Sequence, residues 1–233
     1  MRTQFSKFAL TAALMLAITF TFSCSSPDDD NNGGNNNGNG NGGSNTPSAG
    51  PCPNAVTSDG SMSCGGQTYK TVQIGDQVWM AANLNYNVSG SKCYGNAESD
   101  CNKFGRLYDW ETAKKVCPSG WHLPSVSDWD DLKSYVENDN GCGSCAGKHL
   151  KARNGWNIGG NGTDTYDFAA LPGGYGYSSG GFHNAGDNGF WWTSTEYDAN
   201  LAHYRSMGYN IEYVNSNFNF VKSYLFSVRC LKD

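Results

Sequence analysis

Basic residues are scarce in this chain: 16 Lys and Arg stand against 21 Asp and Glu, with only 4 His. A protein short of cations has little to offer a phosphate backbone or an anionic lipid surface, so nucleic acid is not expected as a partner. The four histidines, His122, His149, His183 and His203, show no H-x-x-x-H or H-E-x-x-H spacing, which leaves a zinc or iron enzyme without support. His122 reads instead as a hydrogen-bonded packing residue. No apolar run is long enough for a comfortable bilayer span. The one G-x-S-x-G, Gly176 to Gly180, lies in a Gly-rich stretch with no helix after it, where a nucleophile elbow needs one.

The longest apolar run, Phe8 to Phe22, follows Arg2 and Lys7 and has the form of an export signal over residues 1–23. Cys24 stands where the run stops, directly after Ser23, as a lipoprotein signal peptidase site requires. Thr21 departs from the Leu usual in that motif. Cys24 is therefore expected to carry the lipid anchor, the alternative being ordinary secretion with a spare thiol. Removing residues 1–23 takes away Arg2 and Lys7 and leaves a net charge of −7. Residues 24–50 hold Asp28-Asp29-Asp30 and an Asn/Gly tract with hardly any apolar side chain. Such a segment cannot offset its ordering entropy by burial, and is expected to be a tether reaching about 25–30 Å. The acidic residues behind Cys24 resemble the surface-export signal of Bacteroidetes lipoproteins, or serve simply as a solvated spacer. The expected location is the outer membrane, at the cell surface.

Residues 51–233 are long enough for one core and hold all seven tryptophans. Eight cysteines remain after Cys24, an even number that reads as a disulfide framework in an exported chain. The local pairs Cys52–Cys64, Cys93–Cys101 and Cys142–Cys145 would leave Cys117–Cys230 as a long-range staple. The sequence alone does not choose among the connectivities open to eight cysteines. Cys142-Gly143-Ser144-Cys145 lacks the strand–helix setting of a redox motif and the second ligand pair of a zinc site, so a structural bridge is favoured.

Tyr69 to Met80 alternates around the turn signal Ile74-Gly75-Asp76-Gln77 and predicts two short strands. Asn83 to Asp100 reads as loop. Asp109 caps a predicted helix through Trp110 to Val116, ended by Pro118 and Gly120. Ser125 and Asp128 give the start signal of a second helix, with Val126, Trp129, Leu132 and Val136 on its buried face. Between the two lies the corner Cys117-Pro118-Ser119-Gly120-Trp121-His122-Leu123-Pro124. Gly141 to Gly189 reads as long loops, followed by strands at 190–194, 202–207, 211–214 and 223–231. The class is α+β: two helices, small antiparallel sheets and long loops, stapled by disulfides.

Several of these stretches resemble a known family. They are Ile74 to Leu84, Gly105-Arg106-Leu107-Tyr108-Asp109-Trp110, the corner, Asp167-Phe168-Ala169-Ala170-Leu171-Pro172-Gly173-Gly174, Trp191-Trp192-Thr193-Ser194-Thr195 and Ser227-Val228-Arg229-Cys230. In this order they are similar to the Fibrobacter succinogenes major paralogous domain of exported proteins and lipoproteins, over about residues 69–232. The resemblance implies no established activity. It implies a C-type lectin-like fold, shared with formylglycine-generating enzymes. An oxidase of that kind needs a reactive cysteine pair late in the chain, where only Cys230 stands.

Two binding features remain. Asn161, Asp164 and Asp167, with Thr163, offer hard oxygens of the type calcium takes, or form Asx-turns instead. No Glu-Pro-Asn or Trp-Asn-Asp triplet of the kind in sugar-binding lectin sites accompanies them. Tyr175, Tyr177 and Phe182 lie among glycines, and Trp191-Trp192 opens a strand. Neighbours on a strand face opposite ways, so one tryptophan is expected in the core and the other at the surface, where it could stack on a sugar or anchor an interface. The expected function is a non-catalytic, surface-anchored binding module for polysaccharide or a surface protein. The alternatives are a structural envelope protein and, third, an enzyme.

Overall fold

Glycine-marked turns fold the first part of the domain into a meander. The computed structural model describes Cys52, residues 56–58 and residues 60–233. The export signal, Cys24 and the tether expected at residues 24–50 lie outside them. Strands β1 (Val56–Ser58), β2 (Ser61–Cys64), β3 (Gln67–Ile74) and β4 (Gln77–Met80) follow one another antiparallel. The expected turn joins β3 to β4. Gly75 there has φ +60°, and a Cβ would stand 2.8 Å from the Tyr135 ring, so the turn accepts no larger residue without strain.

Next come β5 (Ser91–Lys92), a 3-10 turn at Tyr94–Asn96, α1 (Glu98–Phe104) and β6 (Leu107–Tyr108). The 83–100 stretch is thus more ordered than expected from its polarity. The bridge Cys93–Cys101 ties its turn to α1, and Cys101 and Phe104 give α1 a buried edge. Helix α2 (Trp110–Val116) begins as expected, with Asp109 accepting the Thr112 N–H. After β7 (Trp121–His122) comes α3 (Val126–Asp139). Its capping box is complete: Ser125 Oγ accepts the Asp128 N–H at 3.2 Å, and Asp128 Oδ2 accepts the Ser125 N–H at 2.7 Å. Trp129, Leu132 and Val136 are buried; Val126, at the first turn, is half-buried.

The remainder holds α4 (Ala146–Leu150), β8 (Gly173–Tyr177), β9 (Phe182–Ala185), β10 (Asn188–Glu196), β11 (Leu201–Gly208), β12 (Asn215–Val221), β13 (Tyr224–Ser227) and β14 (Leu231–Lys232). Among the described residues, four α-helices therefore replace the two expected. Residues 211–214 are not a strand, because their backbone serves α4: the Glu212 carbonyl accepts the Lys148 N–H at 2.8 Å. The edge strand starts at Asn215 instead.

The α+β class holds, but the sheets are larger than expected. One has six strands in the order β1-β2-β3-β4-β14-β7, and the other eight, β12-β11-β10-β8-β13-β6-β5 with β9 on β8. The last strand, β14, lies between β4 and β7, and Cys117–Cys230 bonds it to the corner. All four local and long-range cysteine pairs take the expected partners.

Two hydrophobic cores flank this frame. Adjacent residues divide between them: Met80 and Trp192 enter the first, Trp79 and Trp191 the second. Opposite pointing on a strand is thus satisfied by burial on both faces. A buried polar hub joins the parts. Asn83 Oδ1 accepts Trp191 Nε1–H and Arg229 Nη2–H, each at 2.9 Å, and Asn83 Nδ2 donates to the Phe104 carbonyl at 2.8 Å. Arg229 also donates to the carbonyls of Phe168 and Ala169. Four of the stretches that carry the family resemblance meet here, through Asn83, Phe168 with Ala169, Trp191 and Arg229.

Candidate functional site

The strand alternation places aromatic residues two apart on one face of the larger sheet. Tyr175 and Tyr177 share a face of β8, Phe190 and Trp192 of β10, Phe218 and Phe220 of β12, and Tyr224 and Phe226 of β13. Register aligns them: Trp192 stands opposite Tyr204, Tyr204 opposite Phe218, and Tyr177 opposite Tyr224.

Six of these side chains close into a ring. Centroids run Tyr175–Tyr177 at 5.7 Å, Tyr177–Tyr224 at 4.7 Å and Tyr224–Phe220 at 4.4 Å. The circuit continues Phe220–Tyr204 at 6.1 Å, Tyr204–Phe190 at 5.9 Å and Phe190–Tyr175 at 5.4 Å. Buried Phe226 fills the middle, 4.3 Å from Trp192 beneath it. All six rim residues are half-buried. Phe218, 49% exposed, extends the patch beside Tyr204, and exposed His183 lies 5.4 Å from Tyr175 and 5.3 Å from Tyr177.

Three of the phenols are held more firmly in their protonated form than a free tyrosine. Tyr175 is pushed up to about 12, chiefly by its hydrogen bond with Tyr177 and then by burial. Burial also raises Tyr204, and burial with the Tyr177 hydrogen bond raises Tyr224. The face is therefore an uncharged aromatic surface near neutral pH, with hydroxyls and an imidazole at one side. It can stack on apolar ligand faces and hydrogen-bond at its margin.

This site keeps half of the expected one. Tyr175 and Tyr177 belong to it; Trp191 and Trp192, each 0% exposed, do not. Both tryptophans are spent on the cores: Trp191 Nε1 donates to Asn83 and Trp192 Nε1 to the Tyr108 carbonyl, at 2.9 Å each. Phe190, Tyr204, Phe218, Phe220 and Tyr224 were missed. For Phe218, Phe220 and Tyr224 the signal in the sequence is the recurrence of aromatic pairs two residues apart, at 218/220 and 224/226 as at 175/177; Phe190 forms such a pair with Trp192, and Tyr204 carries no such signal.

The oxygens of Asn161, Asp164 and Asp167 have separate partners. Asn161 Oδ1 accepts the Trp156 N–H at 3.2 Å, and Asp164 Oδ1 the Ala169 N–H at 2.7 Å. Asp167 pairs with Lys70 at 2.8 Å. Positive φ at Asp164, Asp167 and Ala169 marks a tight turn that such local bonds hold. Calcium takes about six to eight oxygens, and one oxygen of each of these three side chains already has a protein partner. Among the described residues, Cys93, Glu98 and Cys101 are the one close group of metal-capable side chains, and its two cysteines are bonded to each other.

Ser178 of the G-x-S-x-G stretch is exposed in the β8–β9 hairpin turn, which no helix follows. The histidines are dispersed. His122 is more exposed than expected of a packing residue, with its side chain 42% open and hydrogen-bonded to Asp233 at 2.7 Å. His149 contacts Thr165 at 2.8 Å, and His203 lies against Tyr197. No helix among the described residues is long and apolar enough to cross a membrane.

Against known proteins, the model of the Fibrobacter succinogenes major domain matches residues 72–232. No curated protein and no solved structure matches the chain.

Proposed function

This chain belongs to the Fibrobacter succinogenes major domain family, and from that premise we propose that it is a non-catalytic, glycan-binding module of the cell envelope. The observation that carries the reading is the closed ring of six half-buried aromatics around Phe226. Contiguous apolar surface on a folded protein marks a place of contact, and aromatic rings supply it at little conformational cost. Export through residues 1–23, anchoring by a lipid on Cys24 and display at the outer-membrane surface on the 24–50 tether belong to the same proposal. So does a C-type lectin-like architecture, supported by the helix–corner–helix order and by β14 lying beside the corner.

The test is binding of the purified chain to a broad polysaccharide panel, with and without calcium. Glycan binding is expected without a calcium requirement. Tyr177→Ala is expected to weaken it about tenfold, as loss of an interface aromatic does, with the circular dichroism spectrum unchanged. A chain that binds no glycan, or one on which Tyr177→Ala has no effect, overturns the reading in favour of a protein partner or a structural role.

A further inference from the structure

Resting on that glycan reading, we infer that the aromatic ring selects an uncharged polysaccharide, taken by sugar faces that carry axial C–H groups only. The six rim residues and Phe226 are all Tyr or Phe, so none of them is a Lys, Arg, Asp or Glu. The lysines at the ring's borders already have partners. Lys92 Nζ donates to the Ser178 carbonyl at 2.9 Å, beside Tyr177, and Lys222, between Phe220 and Tyr224, pairs with Glu196 and donates to the Ala199 carbonyl at 3.0 Å.

Ring faces carry the negative part of the aromatic quadrupole. A carboxylate or sulfate approaching them meets repulsion, with no cation among the rim residues to offset its lost hydration. The chain's acidic balance adds to that at longer range. A cationic amino sugar gains from the ring faces, but finds there no carboxylate to replace its water. A pyranose whose hydroxyls are all equatorial suits the patch better. Its apolar face presents weakly positive C–H groups to the rings, while its edge hydroxyls reach Tyr175, Tyr177, Tyr224 and His183 at one margin.

Affinity electrophoresis of the full chain would decide this, using three soluble probes: a β-linked neutral glucan, polygalacturonate and chitosan oligosaccharide, each at low and high salt. The neutral glucan is expected to bind with an affinity indifferent to salt. Tyr224→Ala and Phe220→Ala should each weaken it about tenfold, and Lys92→Ala should leave it unchanged. Tighter binding of polygalacturonate or chitosan, abolished by salt, overturns the inference and leaves the glycan reading standing. If Lys92→Ala removes binding, the selection is electrostatic and the inference fails in the same way. Absence of binding to every probe and to the wider panel overturns the glycan reading itself.

Discussion

Removing the bridge between Cys117 and Cys230 should be the most costly disulfide deletion in this domain. Its half-cystines are 113 residues apart, against 8 for Cys93–Cys101. On the chain-entropy account, closing the long loop restricts the unfolded state by about 4.8 kcal/mol at room temperature, and closing the short one by about 2.6 kcal/mol. The native frame adds to the contrast. Cys230 is fully buried, its carbonyl accepts the Met80 N–H at 3.1 Å, and the following Leu231 pairs with both Trp79 and His122. Freed from Cys117, this strand holds its place by pairing and packing alone. The assay is guanidinium unfolding of two double variants, Cys117→Ala/Cys230→Ala and Cys93→Ala/Cys101→Ala, followed by tryptophan fluorescence. The first is expected to lose about 2 kcal/mol more than the second, with both retaining a cooperative transition. Equal losses, or a greater loss from the short loop, would refute the loop-length reasoning and point to packing strain as the controlling term.

Other perturbations have equally definite outcomes. Trp191→Ala and Trp192→Ala each empty a fully buried site and should cost about 3–5 kcal/mol, read in the same unfolding assay; a variant that keeps its stability while losing ligand would contradict the burial. Ser125→Ala removes half of the α3 capping box and should cost about 1 kcal/mol, whereas Ser125→Asn should recover most of it. Burial pushes Tyr69 up to about 12 and Tyr108 higher than its ordinary value of 10.0. Both keep their protons in the fold after the unfolded chain has lost them, so stability is full below pH 10 and falls as pH rises toward 12. Tyrosinate absorbance should show these two phenols ionising together with unfolding; their titration in a still-folded chain would sink that account.

What could be read in the sequence was mostly local. Asp109 and the Ser125/Asp128 pair announced their helices because a cap is a contact between residues three apart. Gly75-Asp76 announced its turn for a similar reason. Helix α1 was hidden: Ala97 at its start offers no capping side chain, and its buried edge is little more than Cys101 and Phe104. The error at Trp191-Trp192 was of another kind. Opposite pointing was right, but whether a strand's second face meets water depends on what folds over it, and here a second core does. The aromatic ring was legible only at Tyr175 and Tyr177. Its other members come from β10, β11, β12 and β13, and only the register among those strands brings them together.

The small bridge Cys52–Cys64 has a mechanical meaning. It links the start of the domain to the far end of β2, so tension on the chain ahead of Cys52 passes through sulfur directly to Cys64 and bypasses β1. Peeling β1 from β2 can then yield no slack, and the first element to feel a steady pull is the β2–β3 ladder. After the last strand of the larger sheet, Cys230 is held by Cys117. Each bridge therefore sets a covalent limit on how far strand separation can spread toward the sheet that carries the aromatic ring.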